Sequence, residues 1–206
     1  MSLSGRTATP ETDFRSVRRK PESYAKLRKA ARKLFVERGY HATRPQDIAR
    51  EAGLGHGTFY LHFADKRACF LAFVEDARTE LDAYVRSRTK PSGSLEDFIA
   101  TMLNAVYEYS QSHSGLLNAA MTDEAVIDAE GVQAVPLLQR WGRDWAEIIR
   151  TGARDGLAAE IYDPDIIGQA IVGALHQAGS ESSASGRSRQ ELVDNLTRFL
   201  VRALKP

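Results

Sequence analysis

Tyr24, Leu27, Ala31, Leu34 and Phe35 recur at intervals of three and four residues, with Lys26, Arg28, Lys29, Arg32 and Lys33 between them. That spacing places the apolar side chains on one face of a helix and the cations on its solvated sides. Pro21 sits where a first helical turn tolerates it, and Gly39 suits the C-terminal cap. A second helix is signalled by Thr43-Arg44-Pro45-Gln46, in which Thr43 can cap and Gln46 can return the bond as a capping box. Ile48, Ala49 and Ala52 supply its inner face and Gly53 stops it. Leu54 to Gly57 reads as a turn. A short third helix follows from Thr58 to about His62, with Phe59 and Phe63 four apart on a core-facing side. Asp65 can cap a fourth helix that carries Cys69, Phe70, Phe73 and Val74 and runs to about Arg88.

Beyond the Pro- and Gly-containing break at Lys90–Ser94, the pattern stays helical, with no alternation long enough for a strand. Helices are expected at Leu95–Ser110, Leu116–Met121, Pro136–Thr151, Ile166–Gln177 and Gln190–Leu204. The Ser- and Gly-rich stretch Gly179–Ser188 is expected to be a loop. The chain is therefore expected to be all-α, with about nine helices. Residues 1–20 are polar, turn basic near their end, and read as a flexible tail.

Composition adds one decisive point. Met1 to Arg67 holds fifteen Lys and Arg against seven Asp and Glu, a balance of +8; the remainder holds thirteen against twenty, a balance of −7. A basic front draws in a polyanion, and an acidic rear is repelled from it, which orients the encounter. With one cysteine, Cys69, there is no intramolecular disulfide and no Cys-rich metal site. No stretch reads as a membrane span or a signal peptide, so a cytoplasmic protein is expected. No cofactor is expected. An enzyme is not expected either: a phosphate-cradling glycine loop, a His-Glu-His metal spacing, a nucleophile elbow and Glu-x-x-His pairs are all missing from the sequence.

The stretch TRPQDIAREAGLGHGTFYLHF, Thr43 to Phe63, reads as two short helices around a glycine-containing turn. Such a helix-turn-helix can place its second helix in the DNA major groove. Gly55 and Gly57 let the backbone approach phosphates, Thr58 and Tyr60 carry hydroxyls, and His56 and Lys66 add donors. Arg15, Arg18, Arg19 and Lys20 add sequence-independent attraction.

Residues 26 to 74 resemble the DNA-binding domain of the TetR family of bacterial regulators. The resemblance rests on Ala31 with Leu34-Phe35, Arg38-Gly39-Tyr40, Ala42-Thr43, Asp47-Ile48-Ala49, Ala52-Gly53, Gly57-Thr58, Tyr60, Phe63 and Lys66. It implies a helix-turn-helix domain over 21–66, followed by a helical-bundle domain for ligand binding and dimerisation over 67–206. It further implies that Thr43, Thr58, Tyr60 and Lys66 hold phosphates, and that Arg44, Gln46, His56, Leu61 and His62 face bases or the groove floor, with Gly57 at the close approach. The chain departs from the family at Gly55-His56, where Ser-Lys is common, and at His62, where Tyr is common.

The body carries no motif of its own. Met102, Val106, Tyr107, Met121, Trp141, Trp145 and His176 are candidates for the wall of an apolar cavity, with Asn104, Tyr107 and His176 as its polar anchors; the same stripes also suit a solid core. By resemblance, Ala170, Ala174, Ala178, Leu196, Phe199 and Leu200 meet a second copy in a four-helix interface; the alternative is that they close the core of one chain. A two-fold dimer matches a palindromic operator, which one recognition helix is too short to specify. The expected function is a repressor, released from operator DNA by a largely apolar small molecule. The alternative is a DNA-bound protein of the same fold that recruits a protein partner and senses no metabolite.

Overall fold

The computed structural model describes residues 14–89, 94–113, 115–121 and 136–206, with side chains from residue 21 onward. Among them lie nine α-helices and no strand. We number them α1 (Phe14–Ala42), α2 (Pro45–Glu51), α3 (His56–Tyr60), α4 (Lys66–Arg88), α5 (Leu95–Ser112), α6 (Leu116–Met121), α7 (Leu137–Arg154), α8 (Pro164–Ser185) and α9 (Arg189–Leu204). The Lys90–Ser94 break falls outside the described residues except for Ser94, which caps α5 by accepting from the Asp97 amide at 3.1 Å.

Three expectations need correction. The first helix begins at Phe14, and Pro21 lies inside it. The expected tail is therefore helical from residue 14, and its first 13 residues lie outside the described ones. Proline fixes φ near the helical value, but inside a helix it removes one backbone bond and crowds the carbonyl four residues back, at a cost of about 3 kcal/mol, which is why the sequence favoured a helix start there. The second is the Ser- and Gly-rich segment, of which residues 179–185 are the last part of α8 rather than a loop. Serine is only a mildly poor helix former; Ser185 bonds back to the Glu181 carbonyl at 2.9 Å, Ser182 is buried, and the stop comes at Gly186, whose φ is +70°. The third is the Thr43–Gln46 capping box, which does not form: Arg44 is the N-cap of α2 and no side chain caps it.

Other local signals hold. Gly39 (φ +74°) breaks the helical backbone near the end of α1, Gly53 (φ +67°) ends the α2 region, and Asp65 caps α4 by accepting from the Ala68 amide at 2.7 Å.

The head packs α1 to α3 and the start of α4 around Leu27, Leu34, Phe35, Ile48, Phe59 and Phe70, all essentially sealed from solvent. Phe35 meets Phe70 edge-on at 5.1 Å between centroids and Phe73 at 5.5 Å. This core does not end at the head. Leu116, Leu117 and Ala120 of α6, Tyr109 of α5 and Leu137 of α7 belong to it. A second core joins α5, α7, α8 and α9 through Ile99, Leu103, Trp145, Ile149, Ile171, Val193 and Leu200. Trp141 and Val85 touch both cores.

Helices α7 and α8 pack closely along each other. At their crossing a Cβ on Gly168 would stand 2.2 Å from the Gly142 carbonyl oxygen. Only a residue without a side chain permits that approach. Gln169 pins the same crossing by donating to the Gln139 carbonyl at 3.0 Å.

Candidate nucleic-acid interface

Helix α3 has two unlike sides. Phe59 (0% exposed) and Phe63 (5%) anchor it from behind, against α1 and α2. His56, Gly57, Tyr60 and Leu61 are exposed and form one outward strip, with Tyr60 at 51% and Leu61 at 72%. The His56 imidazole meets the Tyr60 ring edge-on at 5.3 Å, so the two side chains brace one another at the surface. The helix begins at His56 because extended Gly55 accepts from the Thr58 amide at 2.9 Å; its start therefore precedes the expected Thr58. Arg44 and Gln46 are exposed at the start of α2, and Thr58 is half-buried.

Three of the expected DNA contacts are engaged within the head. Thr43 is completely buried, and its hydroxyl donates to the Gly39 carbonyl at 2.8 Å and the Leu34 carbonyl at 3.3 Å. A phosphate cannot reach it. Its task is to satisfy carbonyls left open where α1 breaks at Gly39. His62 turns toward α1: its Nε2 lies 2.7 Å from Ser23 Oγ, and its ring sits 5.6 Å from that of Tyr24. Lys66 donates to the Tyr40 carbonyl at 3.0 Å, with its ammonium 4.0 Å above the Tyr40 ring. Sequence spacing could not reveal these orientations, because each depends on a residue of α1 or of the turn after it.

The head is bolted to the body through α4. Arg28 of α1 donates through Nε to Asp76 at 2.7 Å and pairs again through Nη2, and Arg32 pairs with Glu80 one turn further on. Tyr109 of α5 donates to the other Glu80 oxygen at 3.0 Å. Across α4, Arg140 of α7 reaches Glu75 at 2.7 Å, which holds the Glu75 carboxyl below its usual range, and Asp144 lies 3.5 Å from Arg78. The periodicity of α4 did not disclose this double row of ion pairs.

In the body, Met102 and Trp145 are buried, while Val106, Met121 and Trp141 are partly buried. Two of the three expected polar anchors are occupied: Asn104 donates to the Ala100 carbonyl at 3.1 Å and the Tyr107 hydroxyl donates to the Leu175 carbonyl at 2.8 Å. His176 is exposed, on the solvent side of α8, and lines no interior cavity. An open groove of about 440 Å³ lies where α7 ends and α8 begins, lined by Arg150, Arg154 and Tyr162 among others, and none of the eight expected pocket residues borders it. Of the expected dimer residues, Ala170 and Phe199 are exposed and Ala174, Ala178 and Leu196 are partly so. Leu200 is 1% exposed and belongs to the core of its own chain, because it falls on the inner face of α9 beside Val193 and Leu204. Among the described residues, no cluster of three metal-ligating side chains occurs, and no helix is long and apolar enough to cross a membrane.

A three-helix head whose third helix faces outward, joined through one long helix to an all-helical body, is the helix-turn-helix architecture of DNA-binding transcriptional regulators. The family model described as "Bacterial regulatory proteins, tetR family" matches residues 27–73, the segment that builds this head. Over that segment, about a quarter of its length, the chain is similar to the TetR family. It is 27% identical over 135 residues to the HTH-type transcriptional regulator YhgD of Bacillus subtilis (strain 168), covering 66% of this chain and 69% of that one. It is 36% identical over 67 residues to the TetC protein of transposon Tn10 from Escherichia coli, covering 32% of this chain and 34% of TetC. In fold it matches the transcriptional regulator FadR of Bacillus subtilis, solved in complex with stearoyl-CoA, with a TM-score of 0.68 and 19% identity, covering 86% of this chain and 97% of that one.

Proposed function

We propose that the chain is a homodimeric, ligand-responsive repressor that holds a palindromic operator through α2 and α3 and is released by a small-molecule inducer. The observation that carries this reading is the outward strip of α3, held rigid by Phe59 and Phe63, on a head whose first 67 residues carry a balance of +8. Arg44, Gln46, His56, Gly57, Thr58, Tyr60 and Leu61 are the contact set it offers to DNA. Two such heads must present their strips about 34–36 Å apart, or at multiples of a helical turn, to enter successive major grooves.

The outer face of α8 and α9 supports pairing with a second copy: Ile166 is 66% and Phe199 58% exposed, with Ala170 and Gly173 exposed between Ile166 and the later turns. Phe199→Asp is expected to shift the protein from dimer to monomer in analytical ultracentrifugation. A dimer that survives unchanged would place the interface elsewhere.

An inducer acts by preferring the arrangement in which the heads are wrongly spaced, and its effect cannot exceed that difference in affinity. The route available runs through α6, whose Leu116 and Leu117 sit in the head core, and through the ion pairs of α4. The experiment is selection of bound duplexes from a random pool, repeated with added ligands. Stearoyl-CoA is a rational first probe, since a neighbour of the same fold was solved with it. The competing reading, a DNA-bound partner-recruiting protein with a solid body, draws on the internally satisfied Asn104 and Tyr107. It predicts that no ligand releases the selected duplex.

A further inference from the structure

The outward strip of α3 contains one side chain that hydrogen bonding does not account for. Leu61 is 72% exposed, at the C-terminal end of α3, while its neighbours Phe59 and Phe63 are buried. Next to it, His62, the donor expected to read a base at this end of the helix, is turned back onto Ser23 and Tyr24. What the end of α3 presents to a groove is therefore an isobutyl group beside the Tyr60 phenol. The patch is too small for a protein partner. Stable protein interfaces bury on the order of 1,000 Å² or more, and singly exposed apolar side chains are ordinary. The first 67 residues also carry a balance of +8, which suits a polyanion.

Within a DNA major groove, one base edge offers an apolar surface: thymine, through its C5-methyl group. We infer that Leu61 is a specificity-determining residue that reads the 5-methyl group of a thymine in each operator half-site. The inference rests on the proposed DNA contact of α3 and adds the chemistry that this position recognises. Removing the methyl should expose part of the Leu61 side chain at no cost in hydrogen bonding, because uracil keeps every donor and acceptor of thymine.

The test uses the full-length protein and a duplex selected from a random pool. Each thymine is replaced in turn by deoxyuridine, which removes the methyl alone. One thymine per half-site is expected to weaken binding by about threefold to tenfold when replaced, in line with the loss of one buried methyl. Leu61→Ala should lose a similar factor on the thymine duplex and bind thymine and uracil duplexes alike, with an unchanged melting temperature. Selection repeated with Leu61→Ala should no longer enrich thymine at that position. Indifference of the parent protein to uracil at every thymine would overturn the inference while leaving DNA binding intact. A Leu61→Ala variant that stays as sensitive to uracil as the parent would also overturn it. Failure of the parent to retain any duplex at low salt would remove the underlying DNA contact as well.

Discussion

Replacing Gly168 with alanine tests the tightest point of the body. The added Cβ would lie 2.2 Å from the Gly142 carbonyl oxygen and 2.8 Å from the Ala146 amide nitrogen. Both are backbone atoms of α7, so no rotamer change relieves the clash, and the two helices must separate by roughly 1 Å at the crossing. That separation loosens Trp145 and Ile149 against Ile171 and Val172, all buried. Overpacking of this kind costs about 1–3 kcal/mol, and more where backbone must move. Against it, alanine in a helix interior regains about 1 kcal/mol over glycine. Because both clashing atoms are backbone, the overpacking cost sits near the top of that range, and the net expectation is a loss of about 2 kcal/mol, which for a chain of this size lowers the melting temperature by about 4–8 °C. Gly173, on the same helix, is exposed, and a Cβ added there would meet no atom within 4 Å. Gly173→Ala should gain roughly the propensity difference wherever α8 stands free, and lose that gain where a second copy covers it. Melting followed by circular dichroism at one fixed protein concentration compares the two variants and avoids shifts from mass action. If Gly168→Ala melts within about 1 °C of the parent, the close crossing does not hold in solution.

Thr43→Val keeps the shape of the side chain and removes its hydroxyl, leaving the Gly39 carbonyl without its 2.8 Å donor. Stability should fall by about 1–2 kcal/mol with the salt dependence of DNA binding unchanged; a shallower salt slope at full stability would restore Thr43 as a phosphate contact. Tyr60→Phe should weaken binding about equally across sequences, measured as isotherms on several selected duplexes, whereas a changed base preference would contradict a phosphate role for the Tyr60 hydroxyl. Burial pushes the Cys69 thiol and the Tyr107 phenol each up to about 12, and burial followed by the Glu80 carboxylate does the same to Tyr109. These groups keep their protons in the folded chain at a pH where the unfolded chain has released them. Stability should therefore be fully present at neutral pH and decline from about pH 9 toward 12. Urea midpoints that stay level across that range would show the three groups to be more accessible to water than their positions indicate.

The helices themselves were legible because their signals are local. The spacing of Leu27, Leu34 and Phe35, the break at Gly39, the Asp65 cap and the whole of α6 follow from neighbours within one or two turns. The Ser- and Gly-rich end of α8 was not, because weak local preference there is overruled by packing: the Tyr107 ring lies against Gly179, where a Cβ would come within 2.7 Å of Cε1. Serines that would suit a loop are carried into a helix that the rest of the body holds in place.

The amino-acid order alone placed α3 to within two residues and showed which residues back it and that the front of the chain is basic. Periodicity and formal charge need no knowledge of distant contacts. Tertiary structure decided which side chains remain for a partner. Thr43, His62 and Lys66 are spent on Gly39, Ser23 and Tyr40, leaving Tyr60 and Leu61 outward. It also set Leu200 inside its own core and tied the head to the body through Arg28, Arg32 and Arg140. Side-chain direction depends on what the chain brings alongside from tens of residues away, and a short polar helix leaves that choice open until α1 packs against it.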